Sequence, residues 1–227
     1  MSKKTIWEFL KSKGFSDVAC AAVMGNMEAE SNCVAFRLQG DFSTDYQKSR
    51  EYTAMVDKGE ISREQFIYNG PGGGGFGLLQ WTYWSRKAGL YDLAKEHGVS
   101  IGDEFIQVEW FVRELFQDEF RSVLNTLQNS ESIRECSDAM IKKFLRPADQ
   151  SDAVCVQRAK FARAIYSEFA GGENPSTADA VPLPLGKGGK DSDMIQVSET
   201  EYNTMSRAML VVMYLKDILN MLEEFEL

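Results

Sequence analysis

The chain has 227 residues, 44% of them hydrophobic and 26% charged, with a formal net charge of -9. That length carries one well-cored domain plus an appendage. The acidic balance excludes a protein that holds nucleic acid through a basic stripe, because phosphate binding needs cationic groups that displace counterions.

No secretory leader is read at the start, since Glu8, Lys11 and Lys13 interrupt the apolar residues that follow Lys3-Lys4. Trp7, Leu10 and Phe15 flank a first short helix that Gly14 can stop. Ser16 is placed to cap the next helix, and Asp17 suits its positive end. Cys20, Val23, Met24 and Met27 then make an apolar stripe at helical spacing. Glu30 follows on one margin of that stripe and Glu28 on the other, so periodicity alone does not choose between them. Burial and the negative end of a helix both favour the neutral form of a carboxyl group there.

The stretch from Cys33 to Gly75 is polar and irregular. It predicts loops, a short helix near Tyr52 to Asp57 and a small hairpin. Its glycine-rich end, Asn69 to Gly75, is not a phosphate loop because no Gly-Lys-Ser/Thr follows. It reads as a mobile lip over a groove. Helical patterning returns at Tyr83 to Gly98, Asp103 to Phe116, Phe120 to Gln128, Ser132 to Phe144 and Asp152 to Phe169, with Pro147 between the last two.

The organisation is therefore a mainly α domain over residues 1–171 and a Pro/Gly/Ser-rich linker over 172–196. A C-terminal amphipathic helix follows over 197–227. In that helix Ala208, Val211, Leu215, Ile218, Leu222 and Phe225 form a short heptad stripe. The stripe suits attachment, oligomerisation or docking on the chain's own domain. The longest apolar run, Met209 to Leu215, is too short to span a bilayer, so no membrane span is expected. The four cysteines lack metal-ligand spacing and are expected as free buried thiols. The single histidine, His97, leaves no Ser-His-Asp triad or histidine-rich zinc site. No metal or cofactor is expected.

Three segments then stand out together. They are Gly25-Asn26-Met27-Glu28-Ala29-Glu30-Ser31-Asn32, Gly75-Phe76-Gly77-Leu78-Leu79-Gln80-Trp81-Thr82, and Arg86-Lys87. With Trp7-Glu8-Phe9-Leu10, Tyr52-Thr53-Ala54, Val56-Asp57, Arg146-Pro147-Ala148 and Arg158 in order around them, the chain over roughly residues 5 to 169 resembles the phage tail lysozyme family. It departs from that pattern at Leu145, where a glutamate is common, and after Ser31, where a proline and polar turn are common.

The resemblance implies a lysozyme-like α+β fold with a small loop and hairpin region. It implies cleavage of peptidoglycan between N-acetylmuramic acid and N-acetylglucosamine, with Glu30 as general acid. It places Ser31, Gly77, Gln80, Trp81 and Thr82 against the substrate. Gly75 and Gly77 would let the backbone approach a sugar ring closely, and Gln80 and Thr82 carry donors and acceptors for its polar groups. Trp81 and Phe76 can stack on a pyranose or pack the core.

Among Asp41, Asp45, Glu51 and Asp57, the second carboxylate is assigned to Asp57, with a helix-end cap or turn residue as the alternative role. If Glu30 acts alone, the activity becomes that of a lytic transglycosylase. A non-catalytic wall-binding module and a structural tail component are the readings from other classes. The implied setting is a virion tail, or release at host lysis, with the C-terminal helix meeting phage tail proteins. An acidic chain must hold the wall polymer by hydrogen bonds and aromatic contact rather than by bulk charge.

Overall fold

The computed structural model describes residues 3–68 and 74–171. The run at 69–73, the expected linker at 172–196 and the expected helix at 197–227 lie outside the described residues. The described part is mainly helical: α1 (Lys3–Ser12), α2 (Asp17–Ser31), α3 (Gln47–Asp57), α4 (Arg63–Ile67), α5 (Trp84–His97), α6 (Glu104–Leu115), α7 (Arg121–Asn129), α8 (Ile133–Ala139) and α9 (Asp152–Phe169).

Helix α6 is the centre of the core. Phe105, Ile106, Val108, Phe111, Val112 and Leu115 are all buried, as expected of a helix apolar nearly all round. It also buries three polar side chains, Gln107, Glu109 and Glu114, and each is paired, as burial demands. Glu109 accepts from Lys13 Nζ at 2.6 Å and from Arg113 Nε at 3.0 Å. That pairing ties the end of α1 to α6.

The edge-to-face pair Phe9 and Phe105 fills the space between the same two helices. Phe144 packs edge-on against Phe111 and tilted against Phe120. Such ring pairs contribute ~0.5–1.5 kcal/mol beyond area burial.

Helix α2 starts where Ser16 Oγ accepts from Ala19 N at 3.1 Å, worth ~1 kcal/mol over an alanine cap. Its main neighbour is α9, and Gly25 makes that approach so close that a Cβ there would sit 2.6 Å from Ala162 N.

Several expectations change. The expected helix at Ser132 to Phe144 is α8 followed by a π-helical turn, Met140–Leu145. Arg146 N reaches back to Ile141 O at 2.8 Å, and Pro147 cannot continue the helix. Helix α3 is longer than expected, and α4 lies in the stretch read as loop. A reciprocal cap between Ser62 and Gln65 starts α4.

No strand occurs among the described residues. The small hairpin expected before Gly75 is instead a tight turn just after it, where Phe76 and Trp81 pair across Gly77–Gln80 and Phe76 also bridges to Leu38. The four cysteines are free, three of them buried, and burial pushes the Cys20 thiol up to about 12. Among the described residues no helix is long and apolar enough to cross a membrane.

Candidate functional site

The end of α2 builds one wall. Asn32 takes the left-handed conformation at φ 55°, which asparagine tolerates better than most residues. Its N–H returns to Glu28 O at 2.9 Å, and Cys33 N reaches Met27 O at 3.3 Å. This double closure stops the helix one residue after Ser31 and leaves Glu30 in its last turn.

Ser31 is 2% exposed. Its Oγ lies 3.0 Å from Met27 O and 3.0 Å from Leu78 O. Ser31 is therefore a strut between the helix end and the Gly77–Gln80 turn, with no face left for a ligand.

Glu30 is half-buried and faces α9, where Arg158 Nη1 lies 2.6 Å from its Oε1. The same Nη1 donates to Asn26 Oδ1 at 3.2 Å. Asn26 is fully buried and donates to Ala22 O at 2.9 Å and Ser137 Oγ at 3.2 Å. The guanidinium is thus fixed from behind by α2 and α8, and it fixes the carboxylate in turn. Periodicity offered neither Arg158 nor Asn26. Glu28, the other margin of the stripe, pairs with Lys3 at 2.9 Å on the α1 side.

The facing wall is the turn itself. Gly77 has φ 80°, and a Cβ there would lie 2.5 Å from Gln107 Oε1. Gln107 explains the crowding: its Oε1 accepts from Leu78 N at 2.8 Å, and its Nε2 donates to Ala35 O at 2.6 Å and Ile101 O at 2.7 Å. One buried amide therefore joins the turn, the segment after α2 and the loop before α6.

Gln80 is itself left-handed, φ 49°, and its Nε2 donates to Gly77 O at 2.9 Å and Arg37 O at 3.1 Å. Its Oε1 has no protein hydrogen bond among the described residues. Thr82 is exposed and donates to Gln80 O at 3.0 Å.

Trp81 takes the core role. It is 1% exposed, and Nε1 donates to Glu114 Oε2 at 2.7 Å. Arg86 completes that cluster, with Nη2 2.9 Å from Glu114 Oε2 and its guanidinium over the Phe144 ring at 4.3 Å. Burial pushes the Glu114 carboxyl up, against Arg86 and Trp81, which favour its charged form.

Lys87 is buried beside Phe66, its Nζ 4.5 Å from the ring centroid and 3.3 Å from Gly74 O. Burial lowers it to about 8. The Arg86-Lys87 pair therefore holds the inner side of the turn and the residue that leads into it.

Asp57 ends α3, with Oδ1 accepting from Ile101 N at 3.0 Å and Oδ2 from Ser100 Oγ at 2.5 Å. Its carboxylate is thus bound to the turn before α6, the part of a turn residue. Asp41 is buried, with Oδ2 accepting from Ser49 N at 2.9 Å and Oδ1 from Ser43 N at 3.1 Å. Hydrogen bonds from those two serines hold its carboxyl well below the usual range. Asp45 and Glu51 are exposed, each accepting from Gln47.

Tyr46 and Arg37 link the helix end to the turn: the Tyr46 hydroxyl accepts from Asn32 Nδ2 at 2.9 Å, and Arg37, 4.4 Å over its ring, accepts at its carbonyl from Gln80. Among the described residues no group of three or more His, Cys, Asp or Glu is arranged to hold a metal ion.

The arrangement is a carboxylate on a rigid helix end, backed by a fixed cation and set beside a strained turn that presents an amide oxygen and a hydroxyl. A family model described as phage tail lysozyme matches residues 2–169. No curated protein matches the chain.

Proposed function

The chain belongs to the phage tail lysozyme family, and from that premise we infer that it cleaves the glycan strand of peptidoglycan, with Glu30 as the proton donor. The cut falls between N-acetylmuramic acid and N-acetylglucosamine. The observation that carries this reading is the tie between Ser31 Oγ and Leu78 O at 3.0 Å. It sets the acid-bearing helix end against the turn whose Gln80 Oε1 and Thr82 can meet sugar hydroxyl and N-acetyl groups.

In the reaction, Glu30 gives its proton to the bridging oxygen as the bond to the anomeric carbon breaks, and positive charge builds on the ring. Arg158 then faces the carboxylate that has lost its proton and balances the new charge. A fixed partner of this kind needs no rearrangement at the moment of reaction. Water adds to the anomeric carbon and gives its proton to the Glu30 carboxylate, which restores the acid and leaves a reducing muramic end. In this reading Ser31 and Trp81 hold the groove's shape from beneath, Gly77 lets the turn close over Gln107, and Gln80 and Thr82 face the strand.

A second reading, lytic transglycosylation, draws support from the commitments of Asp57 and Asp41 to backbone and serine donors. Glu30 would then also take the proton of the muramic 6-hydroxyl as that oxygen attacks, closing an anhydro ring. Mass analysis of muropeptides from purified walls separates the two. Reducing muramic ends are expected, anhydro ends would replace hydrolysis by transglycosylation, and intact glycan would remove the enzymatic reading. The proposed setting is a phage tail, with residues 197–227 as the attachment segment.

A further inference from the structure

Six large hydrophobic side chains stand exposed among the described residues, and three of them form one cluster: Tyr68 at 64%, Tyr83 at 63% and Trp84 at 47%. Tyr68 and Trp84 lie nearly parallel, 25° apart with centroids 6.2 Å apart, and Tyr83 tilts against Trp84 at 6.0 Å. An exposed cluster of this kind needs a reason, because scattered apolar side chains are ordinary and contiguous ones are not.

The cluster is built rather than accidental. Helix α4 packs on α5 so that its C-terminal residue meets the first turn of α5. At its other end Arg63 grips Asp92 with two bonds of 2.7 Å. Phe66 plugs the space between, edge-on to Phe76 of the turn at 5.5 Å and tilted against Tyr91 at 5.9 Å. The rings are thus held by a forked ion pair on one side and an aromatic plug on the other, which lowers the entropy lost when a ligand settles on them.

Position supplies the occupant. Thr82, Tyr83 and Trp84 are the residues that leave the turn, so Trp84 is at most ~22 Å of chain from Leu78, whose carbonyl meets Ser31. The rings therefore stand on the segment that leaves the turn and on the helix whose Phe66 packs against Phe76 of that turn. We propose that Tyr68, Tyr83 and Trp84 form a saccharide subsite that stacks pyranose faces of the same glycan strand away from the point of cleavage. This rests on the glycan-cleaving reading above.

The chemistry fits a sugar. Flat ring faces meet the C–H side of a pyranose, while the two phenol hydroxyls can hydrogen-bond its rim. A chain of net charge -9 gains from such uncharged contacts where bulk attraction to an anionic wall is absent.

The test uses the full chain carrying Glu30→Gln, which can bind without cutting, and peptide-free glycan strands prepared from purified walls. Trp84→Ala and Tyr68→Ser are each expected to weaken binding by about tenfold or more. In the Glu30→Gln chain with its rings intact, the strands should shield Trp84 from acrylamide quenching of its fluorescence. Tyr68→Ser keeps the test decisive if Trp84→Ala does not fold. Glycan affinity unchanged by both substitutions would overturn the subsite while leaving the Glu30 reading intact. Unchanged affinity with a loss of self-association would assign the rings to contact between copies and would also overturn it. Lysis that survives Glu30→Gln would fault the acid assignment instead.

Discussion

Replacing Gln107 by Leu is the sharpest probe of how the groove is held. The two side chains are similar in size, so packing changes little, but three hydrogen bonds of 2.6 to 2.8 Å disappear. Leu78 N–H, Ala35 O and Ile101 O would each lose a partner in a fully buried place. An orphaned buried group costs ~1–3 kcal/mol, so three cost ~3–9, and with ~2 set against them for the leucine's own apolar burial about 4 kcal/mol is the central value. In a domain of this size that lowers the melting temperature by roughly 10–20 °C.

The loss also frees Leu78 to move away from Ser31, and a displacement of about 1 Å at a reacting centre can slow turnover by ~10²-fold. Thermal unfolding followed by circular dichroism gives the first quantity. Clearing of purified walls, measured well below the variant's melting temperature, gives the second. Gln128→Leu, on the exposed side of α7, is the control for a surface glutamine. A Gln107→Leu protein that loses less than ~1 kcal/mol and clears walls at the parental rate would refute this account of the turn.

Two further perturbations reach the same site from other directions. Gly25→Ala places a methyl group 2.6 Å from Ala162 N, so α2 and α9 must part. Overpacking of this kind costs ~1–3 kcal/mol, and because Glu30 and Arg158 ride on those helices, lysis should slow while the chain stays folded; full activity would show that the helix spacing does not matter. Lys87 titrates near 8 in the folded chain against an ordinary 10.5. Between those values the unfolded chain keeps a proton that the folded one has released, so stability rises with pH across the window and falls again as pH drops through about 8. Lys87→Met should remove that rise, ~3 kcal/mol over the full window, in urea unfolding compared at pH about 7.5 and about 10. An unchanged slope would place the titration elsewhere.

What the sequence made legible was whatever is decided within one turn of helix. Ser16, Pro147 and the apolar spacing placed α2 and α9 closely, and the segments that hold Glu30-Ser31 and Gln80-Trp81-Thr82 do meet, through Ser31 and Leu78. The short helix α4 escaped because five residues in a polar stretch carry too little periodicity, although Ser62 and Gln65 were a usable cap signal. Contacts between distant segments were not legible.

Arg158 meets Asn26 across 132 residues, and Gln107 meets Ala35 across 72. Nothing in local spacing announces either. Trp81 shows the same limit: its two roles were equal until Glu114, 33 residues on, took its indole N–H. Asp57 likewise had two roles open, and its partners Ser100 and Ile101 lie more than forty residues away.

The central claim is that the Glu30 carboxyl supplies the proton that cuts the glycan. Glu30→Gln keeps the size and polarity of the side chain and removes its acid, together with the charge that faces Arg158. Rates of wall digestion by the two proteins, at matched folding judged by circular dichroism, should differ by ~10²–10⁴-fold. A substituted protein that digests walls within about tenfold of the parent would contradict the account.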